Sequence, residues 1–358
     1  MHRILPLLLL ALAACQPSAP LVPTDVPDRR SPPPKALQDI EGPLPSEAAE
    51  ASTSPNVVTD TIETEGEPET PPPARPPATQ PPATVLPPVG RLVALGDVHG
   101  DIEALRSALR IALVIDETNH WIGGTTTVVQ VGDQLDRGED ERAILHWLEQ
   151  LAEEARLAGG AIYPLLGNHE TMNVKLDLRY VTEGGYADFA DVPWDPEDPL
   201  FAEFPEAERG RVAAFRAGGP YAVLLARHPI ALIVGDTVFV HGGLLPEHAA
   251  YGLDAINQET REWMLGNAPR PSVLSGDASP VWSRHYSDAP DDADCALLTE
   301  TLTALNASRM VVAHTVHKEG ITSACQEQVW RVDVGLASYY GGPTQVLVIE
   351  GETLTVLP

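Results

Sequence analysis

The chain has 358 residues, 35 of them proline, and a formal net charge of −28 at pH 7. Twenty of the prolines fall between Gln16 and Gly90, which leaves 268 residues, enough for one sizeable core. From Arg91 onward, 18 Lys and Arg face 40 Asp and Glu, which argues against nucleic acid and obliges any phosphate-binding site to bring its own positive charge.

Residues 1–15 read as an export signal: the basic start Met1-His2-Arg3, the apolar run Ile4 to Leu12, then Ala13-Ala14-Cys15. The apolar run is shorter than the roughly 20 residues a membrane-spanning helix needs. Leu12-Ala13-Ala14-Cys15 resembles the bacterial lipobox. That resemblance implies a lipidated Cys15 holding an exported protein to a membrane of the bacterial cell envelope, in the periplasm or at the outer membrane; an ordinary signal peptide is the alternative. Residues 16–90 are rich in Pro, Glu, Thr, Ser and Ala, and are expected to form a disordered tether.

Strand, loop and helix then alternate. Arg91 to Leu95 is an apolar strand, followed by a helix with Ile102, Leu105, Leu109 and Ala112 on one face. Thr126 to Val131 and Ala161 to Leu166 are further strands, with a helix over Asp140 to Leu157 between them. The second half reads as a hairpin, Ile230 to Val234 and Thr237 to His241, and strands at Met310 to Ala313, Val329 to Val334, Gln345 to Ile349 and Leu354 to Leu357. The predicted architecture is α/β: two packed mixed sheets flanked by helices, in one domain spanning residues 91–358. The segment between Glu170 and His241 is expected to be a helical cap, with Trp194, Phe201 and Phe204 as its own small core or as a platform for an aromatic substrate. Cys295 and Cys325 are either a disulfide or two buried thiols.

Polar residues gather where these strands end, as ligands do in open α/β sheets. Asp97 and His99 follow the first strand two residues apart, so that in extended backbone both would face one ion. Asp133 and Asn168 follow the next two, and His241 and His314 end later strands. Carboxylate, imidazole and amide ligands in this mixture suit divalent manganese, iron or zinc.

Gly96 to Gly100, Gly132 to Gly138, Gly167 to Glu170, His241-Gly242-Gly243 and His314-Thr315 resemble the five blocks of the phosphoprotein phosphatases, a branch of the calcineurin-like metallophosphoesterases. The resemblance implies a site with two divalent metal ions. Asp97, His99 and Asp133 would hold the first, and Asp133 would bridge to a second completed by Asn168, His241 and His314. It also implies that His169 protonates the leaving oxygen, that Asp136 orients it, and that Arg137 grips the phosphate; Arg284, in Val281-Trp282-Ser283-Arg284, is the candidate second arginine. Ala313 stands where the family block has glycine. Gly167 to Asn173, Leu178 to Thr182 and Trp330 to Leu336 with Tyr339 to Gly342 resemble the bacterial Shewanella-like protein phosphatases, which implies phosphorylated proteins, phosphotyrosine included, as substrates. Two rivals are a small-molecule phosphatase or dinucleoside polyphosphate hydrolase on the same scaffold, and a surface lipoprotein whose degenerate phosphatase domain only binds a partner. His228, His248 and His317 are expected to be structural or exposed, and His285 and Tyr286 to border the site.

Overall fold

Eleven strands and nine α-helices are formed by residues 81–358, which a computed structural model describes. The signal segment, Cys15 and nearly all of the predicted tether lie outside the described residues. In chain order the elements begin with β1 (Val85–Leu86) and β2 (Leu92–Leu95), α1 (Ile102–Ile111), β3 (Thr127–Gln130), α2 (Glu141–Leu157), β4 (Ala161–Pro164) and α3 (Asn168–Val174). Then come α4 (Glu183–Ala187), α5 (Arg209–Phe215), α6 (Pro220–Leu225), β5 (Ala231–Val234) and β6 (Thr237–Val240). The chain closes with α7 (Pro246–Tyr251), α8 (Leu253–Met264), α9 (Asp292–Leu305), β7 (Arg309–Val312), β8 (Thr322–Ala324), β9 (Val329–Arg331), β10 (Val346–Glu350) and β11 (Thr353–Leu357).

The strands form two sheets, β1-β5-β6-β7-β9-β8 and β11-β10-β2-β3-β4. In the second, β2, β3 and β4 run parallel; in the first, β6, β7 and β9 do. The β-branched and Leu-rich strands bury both faces, as parallel strands covered on two sides must. One apolar core joins the sheets: Val93, Leu95 and Val129 pack in the same cluster as Phe239, Val311 and Val332. Helix α1 closes it with Ile102, Leu105, Ala108 and Leu109, and its N-terminus is capped by Asp101, whose Oδ1 accepts from the Ala104 amide at 2.9 Å. A second core, on the outer face of the first sheet, takes Ile256, Trp263, Leu298 and Leu302 from α8 and α9.

Two sequence expectations are corrected, one strand was missed, and one open alternative is resolved. Val85–Leu86, placed in the tether, pairs in parallel with Ile233 and Val234, so the fold begins ahead of Arg91. The short strand β8 was not read from its sequence, and the strand read as Val329 to Val334 ends at Arg331. Trp194, Phe201 and Phe204 belong to the cap's own core: Phe201 and Phe204 are buried against Leu178, Val212 and Ala213, and Trp194 lies 5.5 Å from Phe201.

Cys295, in α9, and Cys325, just after β8, form a disulfide that closes a separation of 30 residues. A loop of that size restricts the unfolded chain enough to stabilise the fold by about 3–4 kcal/mol. Reduction, or Cys295→Ser, is therefore expected to lower the melting temperature by several degrees; equal melting with and without reductant shows that the bond does not constrain the chain.

Candidate active site

All six candidate metal ligands lie in loops or first helical turns that leave the carboxyl ends of strands, and all six are buried. Asp97 and His99 follow β2, Asp133 follows β3, Asn168 follows β4, His241 follows β6 and His314 follows β7. The expected reason for Asp97 and His99 converging is wrong. The backbone is not extended there; His99 has φ 39°, and a left-handed turn swings its ring back toward Asp97. The same device recurs at Asp133 (φ 55°), Asp136 (φ 67°), Arg137 (φ 71°) and His314 (φ 69°). Backbone of this kind costs about 1–3 kcal/mol per residue and persists where packing over-determines it.

Packing does so here. A Cβ on Gly167 would stand 2.1 Å from Asp133 Oδ1, and one on Gly132 (φ 91°) would stand 2.9 Å from His241 Nδ1. Both glycines let three loops close on one another. Glu170 then ties the loops together: its buried carboxylate accepts the amides of Asp133 (2.9 Å), Gln134 (2.8 Å), Leu135 (3.1 Å) and Gly167 (2.7 Å). Burial and the charge of Asp133 push the Glu170 carboxyl up to about 7.

Asp133 is at the centre. Its Oδ1 accepts the His169 amide at 2.9 Å, which turns Oδ2 toward three imidazoles: His241 Nε2 at 3.2 Å, and His99 Nε2 and His169 Nε2 both at 3.8 Å. It is shared by two groups of side chains close enough to hold a cation, His99–Asp133–His169 and Asp133–His241–His314. The carbonyl of Leu135 lies 3.0 Å from His99 Nδ1, and that of Val131 lies 2.8 Å from His241 Nδ1. A carbonyl can only accept, so both Nδ1 atoms carry hydrogen and both Nε2 lone pairs face the site.

The arrangement fits divalent ions on three counts. His241 Nε2 meets Asn168 Oδ1 at 2.9 Å as well as Asp133 Oδ2, a convergence of acceptors that needs a positive charge among them. Asp97 Oδ1 and His314 Nε2 are buried without a hydrogen-bond partner in the protein, as unfilled ligand atoms would be. Two of the three ligand imidazoles are also held in the form that binds metal, whereas burial would lower His241 but the charge of Asp133 overcomes it and raises its pKa. Burial lowers His99 to about 4, and burial with the neighbouring His241 and Arg284 drops His314 well below the usual range. Burial raises Asp97, helped by the carboxylates of Asp333 and Asp133. Burial would raise Asp133 too, but His241 and His169 outweigh it and hold the carboxylate ionised.

His169 sits in the first turn of α3, with its Nδ1 2.6 Å from Asp136 Oδ2. The carboxylate fixes the hydrogen on Nδ1 and leaves Nε2 facing Asp133 across the site. Burial alone would lower this imidazole, yet the charges of Asp133 and Asp136 overcome it and raise its pKa, favouring a form that can give up a proton. Arg137 lies at the rim, its guanidinium 4.1 Å from the Tyr180 ring and 4.9 Å from that of Tyr339, whose hydroxyl accepts from it at 2.9 Å. Tyr180 packs 5.2 Å from His169, and Tyr340 packs 5.3 Å from His99. Arg284 is exposed and donates to the His314 carbonyl (3.1 Å) and Thr315 Oγ1 (2.6 Å). Ala313 does not displace its neighbour: its amide bonds the His241 carbonyl at 2.8 Å, and the His241 and His314 rings remain 5.0 Å apart.

The other histidines stand apart from this cluster. His228 pairs with Glu149, His248 accepts the Leu245 amide, His317 bonds the Ser287 carbonyl and His285 pairs with Asp294. Sequence reasoning missed Arg211, Asn173 and Asp333. Arg211 is fully buried and donates to Asp136 Oδ1 at 3.1 Å; Asn173 Nδ2 reaches the same oxygen at 3.0 Å. Asp333 is a buried carboxylate beside Asp97 with its Oδ2 unpartnered. The signal for Arg211 was a charge at the head of the apolar stretch Val212-Ala213-Ala214-Phe215.

Residues 90–318 match the model of the calcineurin-like phosphoesterases. The chain belongs to that family. Among relatives, it is 42% identical over 279 residues to Shewanella-like protein phosphatase 2 of Arabidopsis thaliana, covering 69% of this chain and 71% of the relative. It is 28% identical to Shewanella-like protein phosphatase 1 of Plasmodium berghei, over 71% of this chain and 70% of the relative. A solved cold-active protein tyrosine phosphatase aligns with a TM-score of 0.63 at 25% identity, over 77% of this chain and 78% of that one. The domain is therefore a dinuclear metallophosphoesterase of the phosphatase type.

Asp97, His99, Asp133, Asn168, His241 and His314 would hold the two ions. Bound there, these would acidify an attacking water and neutralise charge on the phosphoryl group. Asp133→Asn is expected to reduce metal content and to lower phosphatase turnover by more than about 10²-fold, because one carboxylate serves both groups. His169→Ala is expected to lower turnover by about 10²–10⁴-fold while keeping both ions. Elemental analysis of the two purified variants checks this; metal loss in His169→Ala would move that residue into the ligand set.

Proposed function

We propose that this calcineurin-like phosphoesterase removes phosphate from phosphorylated proteins, phosphotyrosine included, outside the cytoplasm and tethered to a membrane. The observation that carries the substrate reading is the rim. Tyr180, Tyr339 and Tyr340 stand around Arg137 and the two histidines His99 and His169, so an aryl phosphate entering toward Arg137 meets aromatic faces. Arg137 suits the phosphate because a planar guanidinium makes paired, charge-assisted hydrogen bonds. The names of the relatives and of the solved tyrosine phosphatase point the same way. A dinucleoside polyphosphate is the weaker reading, since the domain around the site is strongly acidic.

As water attacks phosphorus, the bond to the leaving oxygen breaks, its electron pair stays with that oxygen, and His169 Nε2 gives it a proton. Asp136 stabilises the cationic imidazole before that transfer. Arg137, and Arg284 if it swings from the His314 loop, hold the non-bridging oxygens. Manganese, iron and zinc all suit this ligand set.

The extracytoplasmic reading rests on the first fifteen residues and is supported by the disulfide, which is favoured in oxidising compartments. No helix among the described residues is long and apolar enough to cross a membrane. The lipobox-like Leu12-Ala13-Ala14-Cys15 supports a lipid on Cys15 as the anchor. Turnover of a phosphotyrosine peptide is expected to exceed that of its phosphoserine counterpart and of diadenosine tetraphosphate by at least about tenfold, the factor that about 1.4 kcal/mol of aromatic contact supplies. A preference for diadenosine tetraphosphate overturns the protein-substrate reading. Labelled palmitate should enter the wild-type chain in a bacterial host and not Cys15→Ala; incorporation that persists in the variant rules out this anchor.

A further inference from the structure

Behind His169 and Asp136 lies a fully buried polar cluster whose central member comes from the cap. Arg211, in α5, has all five of its N–H donors engaged. Nε donates to Asn173 Oδ1 at 2.9 Å, Nη1 to Glu141 Oε2 and to the Gly185 carbonyl at 2.9 Å, and Nη2 to Glu141 Oε1 at 2.8 Å and to Asp136 Oδ1 at 3.1 Å. Asn173 Nδ2 in turn donates to Asp136 Oδ1 (3.0 Å) and to the His169 carbonyl (2.9 Å), and Glu141 Oε1 accepts the Asp136 amide at 2.5 Å. The guanidinium packs against the rings of Phe189 and Phe215, at 5.2 and 4.9 Å, and is fully buried.

The consequence for Asp136 is directional. Two donors saturate Oδ1, which leaves Oδ2 alone to face His169 Nδ1. If Arg211 is removed, the carboxylate can rotate and Glu141 and Asp136 become two buried carboxylates without their shared cation. We propose that Arg211 is a positioning residue for the phosphatase reaction: it holds Asp136 in the one orientation that aims His169 Nε2 at the leaving oxygen, and so makes the cap a working part of proton donation. Arg211 touches neither the phosphate nor the metal ligands; it acts through Asp136. The proposal rests on the phosphatase reading and on His169 as the proton donor.

A residue that serves proton donation matters in proportion to how badly the leaving group needs a proton. Phenyl phosphate has a poor leaving group, and 2,4-dinitrophenyl phosphate leaves well without protonation. In Arg211→Gln, kcat on phenyl phosphate is expected to fall at least about 30-fold, toward the loss from removing a general acid, while kcat on 2,4-dinitrophenyl phosphate changes less than about threefold and metal content is kept. Equal loss on both esters, no loss on either, or loss of metal overturns the positioning role. If Arg211→Gln does not fold, Arg211→Lys keeps the buried charge but cannot reach Asp136, Glu141, Asn173 and Gly185 at once, and the same split between esters is expected. Failure of the lysine variant to fold assigns Arg211 to the framework and also overturns the proposal. Wild-type turnover of 2,4-dinitrophenyl phosphate tests the phosphatase reading separately, so its failure is distinguishable from that of Arg211.

Discussion

The site depends on the orientation of one carboxylate. Asp133 Oδ1 is taken by the His169 amide, and only because of that does Oδ2 stand among His99, His169 and His241. Holding it there requires a left-handed backbone at Asp133, a neighbour with no side chain at Gly167, and a second carboxylate, Glu170, that gathers the surrounding amides. Strain at five positions of the site is offset by these contacts, which exist only when β3 and β4 lie side by side and the short Leu165-Leu166-Gly167 link leads from β4 into α3. The parallel sheet is thus a jig that brings otherwise repulsive oxygens and lone pairs together. Its stability comes from the apolar strands behind, at about 25 cal/mol per Å² of apolar surface removed from water.

Charge explains why the jig must be so rigid. The protein is acidic overall, and its site adds Asp97, Asp133, Asp136, Glu141, Glu170 and Asp333, all buried. Among the described residues, Arg211 is the one fully buried arginine, and it serves Asp136 and Glu141. For the carboxylates nearest the center, the balancing charge has to come from protons on imidazole or from bound cations. A buried ion pair whose partner is removed costs several kcal/mol, because the remaining charge is stranded. By the same reasoning, divalent ions held among these carboxylates would supply the charge that the protein lacks there.

Much of this was legible in the sequence because the informative residues are local. Gly-Asp-x-His-Gly, Gly-Asp-x-x-Asp-Arg-Gly and Gly-Asn-His-Glu each follow a β-branched or apolar strand, so their position at strand ends could be read directly. The sequence order also allowed the two-sheet arrangement to be foreseen, since hairpin and crossover spacings differ. What could not be read was conformation inside the loops. Asp97 and His99 were expected to meet through extended alternation, whereas a left-handed residue brings them together; side-chain identity does not reveal such a turn when no glycine marks it. Val85–Leu86 looked like tether because two residues carry no periodicity, and their strand exists only through pairing with Ile233 and Val234. Arg211 and Asn173 escaped for a third reason. Their function lies in contacts 75 and 37 positions away from Asp136, beyond the reach of any local pattern.

The division of labour among segments bears on how such a site can change. The cradle is drawn from strand ends that both cores fix, and its ligands tolerate little movement. The rim is drawn from elsewhere: Tyr180 from the stretch between α3 and α4, and Tyr339 and Tyr340 from the loop after β9, tied down by the Ser338 amide on Asp101 Oδ2 at 2.7 Å. Rim residues thus come from segments other than those that carry the candidate ligands, though Tyr340 packs on His99 and Tyr180 on His169. Arg211 breaks that separation, because the cap helix that carries it reaches His169 through a continuous chain of hydrogen bonds. A shift of α5 would move Arg211 and its hydrogen bond to Asp136, so the cap and the His169–Asp136 pair are mechanically linked in this fold.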